Sequence, residues 1–373
     1  MVAAKTTGTV VGRAREELFA IPSEGEELVA SNMSGLSTGL EGKVLVPRPY
    51  VAGPARRLLV LPDGNRGAIL PETVIGLWGR SFVLGVKGVG ARTPMYDAGM
   101  PETAEPVFGS ESWFGENPWG SMGQSACLED KEITELSGPQ GIDGFHICPM
   151  VRACPLPPDV MERARGRYWY RRYGGQPYYQ QQRLLPSDVR LYYQSETTIG
   201  HRPGAVLEAF GVLDPEALDG FLDHYIRSGL AALTLLSRSL RGSGRDRRAL
   251  DYQDVWLDKD SVLAPDGTLF FADIEGLAWV PVQDDERLAA LTRRQFERNF
   301  YEFMYGLHRL LGERDQMAGR MPSAECRRAD VAARLELSLQ RDRFIRLERS
   351  ARSLDMLCGG ALVRLLDFTE EKA

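Results

Sequence analysis

Three aspartates and one lysine carry the chemistry this sequence offers most directly. Asp251, Asp254 and Asp273 fall in the segment 250–277, LDYQDVWLDKDSVLAPDGTLFFADIEGL, and Lys87 closes an apolar run beside Gly88 and Gly90. The aspartate segment reads as a hairpin, with one strand at 255–257, a turn at Asp266-Gly267 and a second strand at 268–272 that delivers Asp273. A hairpin brings its two ends together, so Asp254 and Asp273 could share one Mg ion, which prefers one or two carboxylates plus phosphate and water. Asp251 would then orient or deprotonate a nucleophile. Asp273 follows the apolar run Leu269-Phe270-Phe271-Ala272, and a half-buried acid needs a partner. The neighbouring Asp258, Asp260 and Asp266 read as solvated turn formers.

Lys87 needs a different argument. A lysine at the end of an apolar strand, here 81–86, is costly to bury unless it is paired, and a phosphate or a helix carboxylate would pair it. The simpler alternative is a lysine that reaches out to water. Gly88 and Gly90 favour the ligand, because glycine lets a backbone approach phosphate closely.

These residues need elements to hold them. Short strands are expected at 43–46 and 57–61, with further strand character at 145–153. A helix is expected over 123–136, carrying Glu129, Asp130, Glu132 and Glu135. The clearest helix runs over 218–240, with Asp214 as N-cap, Pro215 at the first position and Glu216 in the first turn. Two more helices are expected, over 285–311 and, with an interruption, over 329–365. The fold expected is therefore α+β, with a strand-rich N-terminal lobe (1–160), a basic and aromatic connecting segment (161–213) and a helical C-terminal lobe (214–373). A cleft between two such lobes commonly holds a nucleotide.

The hairpin resembles the catalytic hairpin of the protein-kinase-like superfamily, in which a metal-binding Asn opens the first strand and a metal-binding Asp-Phe-Gly closes the second. Asp254 and Asp273-Ile-Glu-Gly276 stand at those places. The segment 83–94, VLGVKGVGARTP, is similar to a motif of the selenoprotein O family, kinase-like proteins that transfer AMP. The resemblance implies a two-lobe kinase-like architecture and binding of ATP and Mg. Lys87 would grip the nucleotide phosphates beside Gly88 and Gly90, and Glu132 or Glu129 would hold Lys87. Phosphate or AMP would pass to an acceptor that the sequence does not specify, with a protein or peptide as one candidate. Ala249 stands five residues before Asp254, where the superfamily carries its catalytic Asp, and Asp251 is the nearby replacement.

Two other readings compete. An ATP-grasp-like ligase also uses a strand lysine and late carboxylates on Mg, and 182–192 resembles its central strand pair. A pseudokinase that binds partners without catalysis would suit Ala249.

Composition narrows the classes. The chain has 373 residues, enough for a substantial core without staples. Its net charge of −6 argues against a general nucleic-acid binder, although 163–183 alternates arginine with aromatic residues that could hold phosphate or a partner. No apolar run reaches the length of a membrane span and no signal peptide is evident. The five scattered cysteines suit reduced thiols, so a cytoplasmic setting is expected. His146, Cys148 and Cys154 lie close together but lack a fourth ligand for zinc, and His224 and His308 read as structural.

Overall fold

The computed structural model describes residues 10, 15–63, 66–90, 121–164, 177–190, 203–252, 257–274, 276–339, 345–358 and 361–368. The protein is α+β. It divides into two compact units: Met1–Ser137 with Ile147–Val189 and Tyr193–Gly200, and Gly138–His146 with Arg190–Tyr192 and His201–Ala373.

The first unit is built on strands β1 (Glu16–Pro22), β2 (Leu28–Val29), β3 (Lys43–Val46), β4 (Arg56–Asp63), β5 (Gly67–Leu77), β6 (Arg80–Lys87) and β7 (Met122–Gly123). Helix α1 (Gln124–Glu135) follows, then β8 (His146–Ile147), β9 (Met150–Pro155), α2 (Pro158–Ala164) and β10 (Tyr178–Leu185). Among the described residues the strands other than β8 form one sheet in the order β2-β9-β10-β6-β5-β4-β1-β3, with β7 on β10. Strand 43–46 is found as expected, and 57–61 lengthens to β4. The helix expected over 123–136 is α1. Tyr178–Leu185, assigned by composition to a connecting segment, is instead the strand between β9 and β6.

The sheet rolls on itself. Gln180 of β10 binds both backbone groups of Leu45 in β3, its Oε1 accepting from the N–H at 2.7 Å and its Nε2 donating to the carbonyl. Gln182 donates to Leu40 O at 2.9 Å and accepts from the Thr38 hydroxyl at 2.8 Å. The rolled side encloses Phe19, Ile21, Val44, Val46, Cys154, Leu156, Val160 and Tyr178. Burial raises the Cys154 thiol to about 12, Glu27 adds to the rise, and the group stays protonated as a packing residue.

The second unit contains α3 (Pro203–Ala209), α4 (Pro215–Leu233), α5 (Leu235–Arg238), β11 (Arg248–Tyr252), α6 (Leu257–Asp260), β12 (Ser261–Leu263), β13 (Leu269–Phe271) and β14 (Leu277–Pro281). It continues with α7 (Asp285–Met317), α8 (Ala324–Leu339) and the meander β15 (Ile345–Arg349), β16 (Ser353–Cys358) and β17 (Ala361–Asp367). The Asp214 cap is in place, its carboxylate accepting from Ala217 N at 2.8 Å. Thr234 splits the expected 218–240 helix into α4 and α5, with its hydroxyl on Leu230 O at 2.6 Å. Tyr225 of α4 stacks on Phe303 of α7 with ring centroids 5.5 Å apart, and its hydroxyl donates to Phe303 O at 3.1 Å. Gly229 makes room for the same ring, since a Cβ there would lie 2.5 Å from it.

One expectation fails outright. The helix expected over 329–365 ends early: its part from residue 345 onward belongs instead to the antiparallel meander β15-β16-β17. Leucine and arginine are good helix formers, so local propensity favoured a helix. The alternation that buries Ile345, Leu354 and Met356 against the rest of the unit overrides it. Among the described residues no helix is long and apolar enough to cross a membrane.

Candidate functional site

In the first unit, chemistry gathers on one face of β10 and β6. Gln181 lies directly opposite Lys87, and Arg183 opposite Gly85, so Gln181, Arg183 and Lys87 share a sheet face. Gly67 of β5 flanks Lys87 on the other side and presents no side chain. Helix α1 lies on this face through Asp130, which is 1% exposed. The Asp130 carboxylate accepts from Gln181 Nε2 at 2.8 Å and forms an ion pair with the Arg183 guanidinium, itself 3% exposed. Gln181 also accepts from Arg183 Nε at 2.8 Å. Lys87 is half-buried, and Gln181 is its cross-strand neighbour.

After Lys87 the chain turns sharply. Gly88 and Gly90 have φ of +97° and +103°, and a Cβ on Gly88 would meet Tyr179 O at 2.9 Å. The N–H groups of Gly88 and Val89 both donate to Arg66 O, at 2.8 and 3.1 Å. Both glycines are thus required by the backbone. Thr93 and Pro94 of the same motif lie outside the described residues.

The structure places Glu129 and Glu132 on the exposed side of α1, and Asp130 on the sheet side. Asp130 is thus the helix acid on Lys87's face of the sheet. It could have been found from β10, because a run Gln180-Gln181-Gln182-Arg183 ending in Leu184-Leu185 is a strand with a polar interior that requires partners.

In the second unit the hairpin is shifted. Of the first strand expected over 255–257, residues 255 and 256 lie outside the described residues and Leu257 opens the helical turn Leu257–Asp260; the described strand is Ser261–Leu263, paired with Leu269–Phe271. Asn299 Oδ1 accepts from Leu257 N at 3.0 Å and Ser261 Oγ donates back to Leu257 O, which closes the turn. The residue entering the hairpin is therefore Asp260. Far from being a solvated turn acid, Asp260 is 2% exposed. Its carbonyl accepts from Ala272 N at 2.9 Å and Asp273 N at 3.4 Å, so Asp260 and Asp273 are backbone neighbours at the open end of the hairpin.

The hairpin rests on aromatic rings. Phe271 stacks on Phe145 at 4.6 Å and meets Tyr252 edge-on at 5.3 Å. Its far end holds Asp266, which accepts Thr268 N at 3.1 Å and lies 3.4 Å from His224 Nδ1, an ordinary turn role. Asp251 is 3% exposed on β11, opposite Ala278 of β14. Its Oδ1 accepts from Tyr252 N at 2.8 Å and its Oδ2 lies 3.4 Å from the Arg294 guanidinium. Asp254, and residues 165–176 of the arginine and aromatic segment, lie outside the described residues.

Within the second unit, two aspartates at one hairpin end carry hard oxygen donors of the kind Mg takes. Within the first unit, Lys87 is a half-buried lysine of the kind that binds phosphate as a point charge. No protein-family model matches this chain, and no curated protein matches it either.

Proposed function

We propose that this chain is an ATP- and Mg-dependent transferase of the protein-kinase-like kind, moving phosphate or AMP to a protein or peptide acceptor. The observation that carries the reading is the adjacency of Asp260 and Asp273 across the mouth of one hairpin. This is the relation the kinase-like superfamily uses for its two metal ligands, reached here with Asp260 in place of the expected Asp254. A second feature supports it. A strand lysine, Lys87, shares its sheet face with a buried helix acid, Asp130, in the order strand then helix.

In this reading Asp260 and Asp273 hold Mg, and Lys87 with the Gly88–Gly90 turn contacts phosphate. Asp130 takes the role first considered for Glu132. Counting back from Asp260, the acid closest to the superfamily's catalytic position is Asp254, six residues earlier. Asp254 would orient the acceptor, while Asp251, whose two oxygens face Tyr252 N and Arg294, acts as a structural anchor. The buried setting of Asp251 also favours a second reading, a scaffold that binds nucleotide without transfer.

Thermal shift tests the binding half, because any ligand of the native state raises the melting temperature. Millimolar ATP with Mg should stabilise the chain, and Lys87→Ala, Asp260→Ala and Asp273→Ala should each remove most of that shift. No shift in the wild-type chain sinks the proposal. Radiolabel from ATP on an acceptor separates transferase from scaffold.

A further inference from the structure

The second unit carries an arginine-rich surface that the nucleotide reading does not use. Residues 238–248, RSLRGSGRDRR, hold five arginines against one acid. Arg238 is taken up locally, its Nε on Thr234 Oγ1 at 2.5 Å and its Nη1 on Asp143 O at 3.3 Å. Arg247 pairs with Asp285 at 2.5 Å. Arg241, Arg245 and Arg248 are exposed, and among the described residues none of the three forms an ion pair.

The three are held in place. Arg241 and Arg248 exchange backbone hydrogen bonds at 2.8 and 2.9 Å, which fixes them side by side at the base of a loop. Gly242 at φ +73° and Gly244 at φ +58° shape that loop, and a Cβ on Gly242 would meet Asp246 O at 2.6 Å. Arg245 sits in the short turn Gly244–Asp246 at the tip. The Arg241 guanidinium stacks over Trp279 of β14, 4.8 Å from the ring centroid. Trp279 is opposite Leu250, and Arg248 opposite Pro281, so Trp279 and Arg248 share a face of the β11–β14 ribbon. A guanidinium stacked on an indole loses less side-chain entropy on binding an anion, and arginine recognises carboxylates and phosphates through its planar fork.

We propose that Arg241, Arg245 and Arg248, backed by Trp279, form a docking surface for an acidic peptide segment of a partner protein. Charge complementarity favours a peptide over nucleic acid. Duplex DNA engages about 6–10 phosphates in a typical contact, which three arginines cannot supply. A short acidic stretch needs only this patch. The surface does not depend on nucleotide binding, so the two proposals stand or fall separately.

The probe is a fluorescent oligoglutamate peptide of about 12 residues, titrated by anisotropy into the full chain without nucleotide. Saturable binding that weakens as salt rises is expected. The double variant R245E/R248E should weaken it at least about tenfold, R245Q/R248Q should lie between, and W279A should weaken it measurably. R57E, at an exposed arginine of the first unit, should leave the affinity unchanged. Circular dichroism on each variant checks folding, and the glutamine pair supplies the readout should the reversal unfold. Absence of oligoglutamate binding, equal loss in R57E, or tighter binding to a DNA duplex of matched charge would overturn the proposal.

Discussion

The two units solve the problem of a specific interior by opposite means. Beneath the first unit's sheet, polar side chains do the joining: Asp130, Gln181 and Arg183 on one face of β10, Gln180 and Gln182 on the other. In the second unit the joints are rings and gaps, Tyr225 on Phe303 with Gly229 beneath, and Phe145 on Phe271 under the hairpin. A buried polar network is unforgiving, since each member left without its partner bears a desolvation cost. Apolar packing is more tolerant, because neighbours can relax toward a lost volume. The contrast puts the rigid, charge-specified surface under Lys87 and the packed, shape-specified one under Asp260 and Asp273.

The largest expected effect lies in the first unit. Asp130→Ala strips the carboxylate from a guanidinium that is 3% exposed, and should cost about 3–5 kcal/mol in urea unfolding. Asp130→Asn should recover part of this by keeping an oxygen for Gln181. A cost under about 1 kcal/mol for the alanine variant would mean the network is solvated and the contrast is false.

A smaller effect is expected at the aromatic joint. Gly229→Ala drives a methyl into the Phe303 ring and should cost about 1–3 kcal/mol as overpacking. Coupling to Phe303→Leu in a double-mutant cycle would recover a share of it, since the smaller partner makes room. Additive losses would place the strain elsewhere.

The smallest effect is a pH dependence in the second unit. Burial, then the nearby Arg327 and Arg328, hold His308 of α7 below its ordinary value of 6.5. A depressed value means the unfolded chain binds the proton more readily, so this contribution is complete above pH 6.5 and is lost as pH falls through the folded value. Melting temperature should therefore fall more steeply below pH 6.5 in the wild type than in His308→Gln. Identical slopes would remove His308 from the account.

The same contrast decides what could be seen in the sequence. The helices of the second unit announce themselves by apolar spacing and by the Asp214-Pro215 start, and α4 and α7 begin where the pattern puts them. Strands 43–46 and 81–86 are equally plain. The polar interior of β10 was invisible to a search for apolar periodicity, and Tyr178–Leu185 passed for surface. Asp260 is hidden for a related reason: an acid beside a hairpin turn reads as solvated, whereas the helical turn Leu257–Asp260 leaves it buried at the entry to the hairpin. The meander at 345–367 escapes a propensity reading because leucine and arginine favour helix, whereas hairpin pairing and the burial of Ile345, Leu354 and Met356 favour strands.

The Gln180 latch has a consequence for inheritance. It grips the peptide group at position 45 and reads no side chain there. Drift at 45 is limited only by the need for an apolar residue of similar bulk, whereas 180 must keep both a donor and an acceptor at the same reach. Descendants of this chain should therefore vary freely in which aliphatic residue fills 45 while holding an amide at 180, and a lineage that lost the amide would have to find another way to close the roll.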